Sequence, residues 1–407
     1  MSNSQKKRFL RIVISLWMGS GLILIGDYTV YGVLPLYVGV LGISLSDVGI
    51  LIGISSGVRL LFNSIVGYFV DFGNQKKIFI ASLFLGSGAY FLFGFYSGFT
   101  VFFIARIFWG IAWAGIIIAG TSILIEESTT ANRGKLVGLH YFWISVGSAF
   151  CYVIGGFLSD RIGFQSTMVV SGVIALIGAF FALVFLPATE RKQIEEISFR
   201  NFRKNYSVKL DLTLLLYAAI FAIPRFITLG FITSLLSIII KEKISPFMAF
   251  IGISTLTGLI GGARTVMETC FAPLIGIVAD KFKNRLYIVI ITLLFAVAGL
   301  FIMTLASPYM VLLGLSLCTV LSGSISVLIR TLVGDYAAEK NNQGRAMGFV
   351  FTAGDLASAT GPVFAFRILS YVNMDIVFKI MAIALIFLIL IIITFIRYSL
   401  NIKPEKN

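Results

Sequence analysis

Runs of about twenty apolar residues recur along the whole chain, and their length constrains its fold more than any other feature. A helix rises about 1.5 Å per residue, so crossing a hydrocarbon layer about 30 Å thick takes about twenty residues. Such runs fall near 10–37, 46–70, 78–97, 100–124, 135–158 and 165–187. After a polar gap they resume near 211–239, 246–277, 286–306, 308–332, 345–370 and 374–397. Their continuity excludes a transmembrane β-barrel, whose strands alternate in polarity. Of the 407 residues, 58% are hydrophobic and 12% charged, too few charges to cover a soluble protein of this size. The first run follows Lys6, Lys7 and Arg8, as a secretory signal would. It is longer than the apolar core of such a signal and no small-residue cleavage site follows, so it is read as the first span.

The formal charge of +14 takes its meaning from where the basic residues lie. On one side of this topology stand 22 of the 32 Lys and Arg residues, clustered before span 1, after spans 2, 4 and 8, before span 11, at the end of the chain and in the polar gap. The other side holds Arg161, Lys241, Lys243, Arg367 and Lys379. Basic loops stay in the cytoplasm during insertion, so both termini are expected there, in a multi-pass plasma (inner) membrane protein. The excess charge then serves orientation and contact with anionic membrane lipids, not nucleic acid. Cys151, Cys270 and Cys318 lie within spans without C-x-x-C spacing, which supports neither a disulfide framework nor zinc; they are expected to act as small packing residues.

The gap at 188–210 is charged and divides the spans six and six. The expected organisation is an N-terminal six-helix bundle over 1–187, a cytoplasmic linker over 188–210 and a C-terminal six-helix bundle over 211–407. Internal repetition supports it. Gly67-Tyr-Phe-Val-Asp71 at the end of span 2 returns 209 residues later as Gly276-Ile-Val-Ala-Asp280. Asn132-Arg-Gly-Lys-Leu-Val-Gly138 before span 5 returns 210 residues later as Asn342-Gln-Gly-Arg-Ala-Met-Gly348. One residue missing after Asp71, where the second copy has Lys281 before Phe282, accounts for the change of offset.

These residues carry a family resemblance. Gly67-x-x-x-Asp71 followed by Phe72-Gly73-Asn74-Gln75-Lys76-Lys77 resembles the helix 2–3 loop signature of the major facilitator superfamily. Arg106-Ile-Phe-Trp109-Gly110 resembles that family's helix 4 motif, with Trp109 where Gln is common. Gly147-x-x-x-Cys151-Tyr152-x-x-Gly155-Gly156 resembles the helix 5 motif of proton-linked efflux pumps. Two departures bear on the efflux branch rather than on the superfamily. The first signature lacks an Arg after its Asp, and Cys-Tyr replaces Gly-Pro, a pair found instead at Gly361-Pro362 in span 11. The resemblance implies an all-α membrane protein of twelve transmembrane helices, in two six-helix bundles related by pseudo-two-fold symmetry. It implies a monomer that moves a small-molecule substrate by alternating access, with protons as the coupling ion.

Charges deep in a bilayer are costly and usually face a bundle interior or a wet cavity. Arg59 and Glu268 each lie twelve residues before the Asp that ends their span, so the repeat places a base and an acid at matching depths. Arg225 and Asp355 are near mid-depth, Asp27 lies further out and Arg106 in the outer third. These residues and Arg264 form the expected substrate and proton pathway. Arg264 and Glu268, four apart on one helix face, could equally neutralise each other. Asp27, Glu268 and Asp355 are the candidate proton carriers, because a solute that displaces an arginine partner promotes proton uptake by the carboxylate. Guanidinium groups suit carboxylate or phosphate ligands, which favours an anionic solute.

Through the resemblance, Asp71 and Asp280 are expected to pair across the bundles and hold the cytoplasmic side closed, with Arg133, Lys135 and Arg345 as partners. Arg330 near the same side is expected to join Asp335. Solvated loop charges remain the alternative. Gly147, Gly155 and Gly156 mark a face for close helix packing, with or without a hinge role. No cofactor or metal is expected, and no enzyme: His140 is the one histidine, no nucleophile motif is present, and the P-loop signature needed for ATP-driven transport is missing. Proton-coupled export is the first functional expectation and proton-coupled uptake of an organic anion the second, with an integral membrane enzyme a remote third.

Overall fold

The computed structural model describes residues 3–129, 132–187, 211–248, 250–282, 284–305, 307–340 and 343–402, with side chains except at 3–6, 337–345 and 399–402. The linker expected at 188–210 therefore lies outside the described residues. Every regular element described is helical. Without water, backbone N–H and C=O groups must be satisfied within the segment, and a helix does this by itself.

The first half comprises α1 (Asn3–Leu22), α2 (Leu24–Val33), α3 (Leu45–Phe72), α4 (Gln75–Phe95), α5 (Phe99–Glu126), α6 (Arg133–Ile162) and α7 (Phe164–Phe185). The second comprises α8 (Leu212–Arg225), α9 (Leu236–Lys243), α10 (Ile253–Ala279), α11 (Leu286–Ile302), α12 (Pro308–Lys340), α13 (Gln343–Leu369) and α14 (Met374–Ile402). Among the described residues, eleven spans are long and apolar enough to cross a membrane, and the 17-residue α11 is apolar but shorter. Together they match the twelve expected runs. Large apolar side chains such as Phe150, Phe180 and Phe387 are exposed along these helices, as lipid contact allows.

Two expected spans are interrupted. Span 1 is divided at Ile23 between α1 and α2. Span 7 widens after α8 into a π-helix over Phe226–Thr233. Pro224, which has no N–H to give, ends α8, and the hydroxyls of Thr233 and Ser234 donate to carbonyls five residues back, at Thr228 (2.9 Å) and Leu229 (3.2 Å). Helix starts follow local chemistry: Ser44 and Asp47 form a reciprocal capping box at α3, and the Asn74 side chain accepts from Lys77 N–H at α4. The turn between α6 and α7 passes through Gly163 at φ 80°, a region that a side chain strains.

Packing repeats between the halves. In the first, α4 lies against α5 and α7, and α1–α2 against α6; in the second, α11 lies against α12 and α14, and α8 against α13. One contact recurs residue by residue. Cys151 Sγ approaches the Gly21 carbonyl at 3.7 Å, and 210 and 209 residues later Gly361 lies against Gly230, where an added Cβ would meet backbone at 2.5 Å.

The described chain forms two compact units that do not simply follow the sequence. One contains Met1–Arg203 with Leu236–Ile240 and Ala249–Val266; the other contains Lys204–Leu235, Lys241–Met248 and Met267–Asn407. The first part of α10 joins the first unit because glycines let its backbone touch α6. A Cβ at Gly156 would overlap the Ser254 carbonyl, one at Gly258 would overlap that of Tyr152, and one at Gly262 would lie 2.7 Å from Ala149 O. Small residues at helix crossings allow such approach. Gly155 seats against Thr29, while Gly147 has only the Gly21 Cα nearby, at 3.8 Å. Gly156→Val should therefore cost about 1–3 kcal/mol by overpacking and lower the melting temperature in detergent, whereas Gly138→Val, with open space around it, should leave that temperature unchanged.

Candidate functional site

Two charged helices meet in the first unit. Arg106, on α5, is 1% exposed, and each arm of its guanidinium is engaged. Nη1 donates to Asp27 Oδ1 of α2 at 2.6 Å, Nη2 to Ser55 Oγ of α3 at 2.7 Å, and Nε to the Leu51 carbonyl at 2.9 Å. The Tyr31 ring covers the cation, 5.5 Å from its centroid. Gly110, one turn along α5, admits this approach of α3, since a Cβ there would lie 2.8 Å from the Ser55 carbonyl. Asp27 keeps 16% of its side chain open, so the carboxylate is the accessible half of a buried pair. Burying an arginine in hydrocarbon requires such a counter-charge and such a set of acceptors.

The second unit has a looser pair. Arg225, where α8 gives way to the π-helix, reaches Asp355 of α13 at 3.5 Å and donates to Ser358 Oγ at 3.1 Å. The pair is wetter than the first, with 21% and 42% of the side chains exposed. The Phe221 ring backs the guanidinium at 5.0 Å.

The other expected pathway residues lie on α3 and α10. Arg59 is partly buried and donates to Ser56 Oγ on its own helix at 2.8 Å. Arg264 is buried and Glu268 partly buried on α10, and Gly323 of α12 packs on the Glu268 backbone. His140 is fully buried, and neither ring nitrogen has a hydrogen-bond partner among the described residues. Trp109 is buried, stacked on Trp113 and tilted against Tyr90, so this aromatic pair builds core. Cys151 and Cys318 are buried as expected of packing residues, but Cys270 is exposed, because it sits on an uncovered face of α10.

At the ends of α10 and α12 the expected gate residues find a partner that sequence reasoning passed over. Arg285 donates to Asp280 at 2.9 Å and also to Asp335. Burial acts to lower the arginine pKa, yet the hydrogen bonds and charges of Asp335 and Asp280 raise it overall. Arg285 was visible only as one basic loop residue among three. Arg330, expected beside Asp335, instead lies over the Phe351 ring at 5.4 Å, since five helical positions separate it from Asp335 on α12. The first half has a neutral counterpart: Gln75, 210 residues before Arg285, donates to Glu126 at 2.6 Å. Asp71 and Lys135 are exposed, and Arg133 Nε donates to Ser128 Oγ at 3.4 Å. The Arg345 side chain lies outside the described residues. Among the described residues no cluster of His, Cys, Asp or Glu could hold a metal ion.

A membrane-spanning helical body with paired charges between its helices defines a class, and the comparisons agree. The family model of the Major Facilitator Superfamily matches residues 16–263 and 226–406, and the chain belongs to that family of transporters, not to an enzyme family. Among relatives, an uncharacterized MFS-type transporter of Methanocaldococcus jannaschii is 22% identical over 89% of this chain and 93% of its own. The quinolone resistance protein NorA of Staphylococcus aureus is 23% identical over 87% of this chain and 88% of its own. Among solved structures, the nucleoside transporter NupG has a TM-score of 0.76 at 13% identity, covering 94% of this chain and 99% of its own. A bacterial homolog of the human lysosomal transporter Spinster has a TM-score of 0.77 at 14% identity, covering 95% and 96%.

The Arg106–Asp27 pair makes a stability prediction. Arg106→Leu leaves Asp27 without its counter-charge and should destabilise the protein by about 3–5 kcal/mol. Adding Asp27→Leu should restore part of that loss, read as the melting temperature of the purified protein in detergent; purely additive losses would mean the two side chains are not coupled.

Proposed function

We propose that this transporter exports a small organic solute from the cytoplasm in exchange for protons, working as a monomer in the plasma membrane with both termini inside. Its working parts are the halves 1–187 and 211–407, joined by the linker 188–210. The observation that carries the reading is the buried Arg106 held by a carboxylate that keeps an open edge. A solute group that takes the open edge of the Asp27 carboxylate and a proton on that same carboxylate exclude each other, because a protonated carboxyl no longer offers the charge that holds the solute. Solute and proton thus compete for one site, which is the requirement for exchange. The similarity to NorA supports the outward direction, and the looser Arg225–Asp355 pair supplies a second place for the same competition.

Arg59 favours a second reading. Its guanidinium is partly buried with Ser56 as its hydrogen-bond partner, which suits a solute carboxylate or phosphate and hence proton-coupled uptake of an organic anion. Asp71, Arg133, Lys135 and Arg345, with the Arg285–Asp280–Asp335 cluster, are proposed to gate the cytoplasmic ends.

Reconstitution into vesicles with an imposed pH gradient separates the two readings. Screening cationic, anionic and lipid-like solutes should reveal one whose movement opposes that of protons. Asp27→Asn should reduce that movement to the level of empty vesicles while the protein still inserts. Solute and protons moving in the same direction would establish uptake instead, and full-rate transport by Asp27→Asn would remove the proposed coupling.

A further inference from the structure

Asp160, in the last turn of α6, sends its carboxylate to the first turn of another helix. Oδ1 accepts from the Ser254 N–H at 3.2 Å, and Oδ2 accepts from the Thr255 N–H and the Thr255 hydroxyl, both at 2.6 Å. The first N–H groups of any helix lack internal partners, and α10 has no acidic residue of its own in its first turn. A residue 95 positions away thus caps α10, with its negative charge at the favourable end of the helix dipole. Gly252 makes room for it, because a Cβ there would overlap the carboxylate. Beside it, the Tyr37 hydroxyl donates to the Ser159 carbonyl at 2.6 Å, tying the segment after α2 to the same end of α6.

Behind this cap runs the glycine seam between α6 and α10, in which Thr257 is fully buried and faces Gly32. Backbone packing of that kind acts only at contact, and a gap of about 1 Å forfeits much of it. It cannot draw parted helices together again. A charged cap with three directional bonds can, and because Asp160 is exposed, water is ready to take over each bond when the helix ends part.

We propose that Asp160 is a latch on the α6–α10 seam, a positioning residue that sets how often the pathway opens on the side where α10 begins. This rests on the alternating-access reading, in which access from that side requires the ends of α6 and α10 to separate. An Asp160→Asn amide keeps one oxygen for the two Thr255 donors but sets an NH2 against the Ser254 N–H, so its effect should lie between those of the native residue and alanine.

The test reads accessibility and needs neither solute nor gradient. Cys151 and Cys270 are replaced by serine, Thr257→Cys is introduced and Cys318 is kept, buried against the Ala296 carbonyl of α11. A membrane-impermeant maleimide is added in vesicles from the side of the first turn of α10, and each site is followed by peptide mass. Asp160→Ala should raise the labelling rate at position 257 roughly five- to tenfold, the population shift expected for a lost helix cap, with Cys318 unchanged. Thr255→Val, which removes only the hydroxyl donor, should give a smaller rise in the same direction and decides the matter if Asp160→Ala does not fold. Unchanged labelling at 257 would overturn the latch. A parallel rise at Cys318 would overturn it too, by making Asp160 a general structural fastening. If vesicles show no transport of any solute while the labelling shift persists, it is the transport reading that fails; intact transport with flat labelling sinks the latch alone.

Discussion

A charge inside hydrocarbon has no water to solvate it, and this fixes how the helices of this protein can meet. Arg106 is the strictest case. Its three arms take a carboxylate from α2, a hydroxyl from α3 and a carbonyl from α3, so one side chain of α5 sets the mutual position of three helices. Replacing a buried ion pair by well-packed apolar side chains is often neutral or stabilising, so strength alone is a poor account of it. The open carboxylate edge suits the exchange of partner proposed above. Arg225 and Asp355 repeat the theme with more water and weaker geometry.

Glycine supplies the complementary device. Lipid tails are as apolar as leucine, so helices in a bilayer gain little from hiding apolar surface and more from close backbone contact. The contacts of Gly156, Gly258 and Gly262 bring the first part of α10 into the unit that holds α6. Gly230 and Gly361 do the same where the π-helix crosses α13. That the second crossing matches Cys151 on Gly21 in the first half shows duplication surviving in contact as well as in motif. Divergence shows equally well at the helix ends, where the uncharged Gln75 amide on Glu126 corresponds to the Arg285 guanidinium on its two aspartates.

The amino-acid sequence by itself determined the class of solvent, the number of spans, the repeat and the family, because each is written in local composition or in short motifs. Run length states whether a segment can cross a bilayer, and an offset of 209 or 210 residues states that two halves share an origin. Asp27, Arg106, Arg225 and Asp355 were recognisable as deep charges for the same reason: depth is a count along one helix. Partnership is not. Asp27 meets Arg106 across 79 residues, and Asp160 meets Thr255 across 95. Such meetings depend on how each helix is rotated about its axis, which the contacts of all its neighbours decide together. Arg285 escaped notice because a loop arginine among other basic residues carries no mark of the two aspartates it will bridge. The π-helix was equally hidden, since its widened turn depends on Pro224, two hydroxyls and the crossing of Gly361 acting at once.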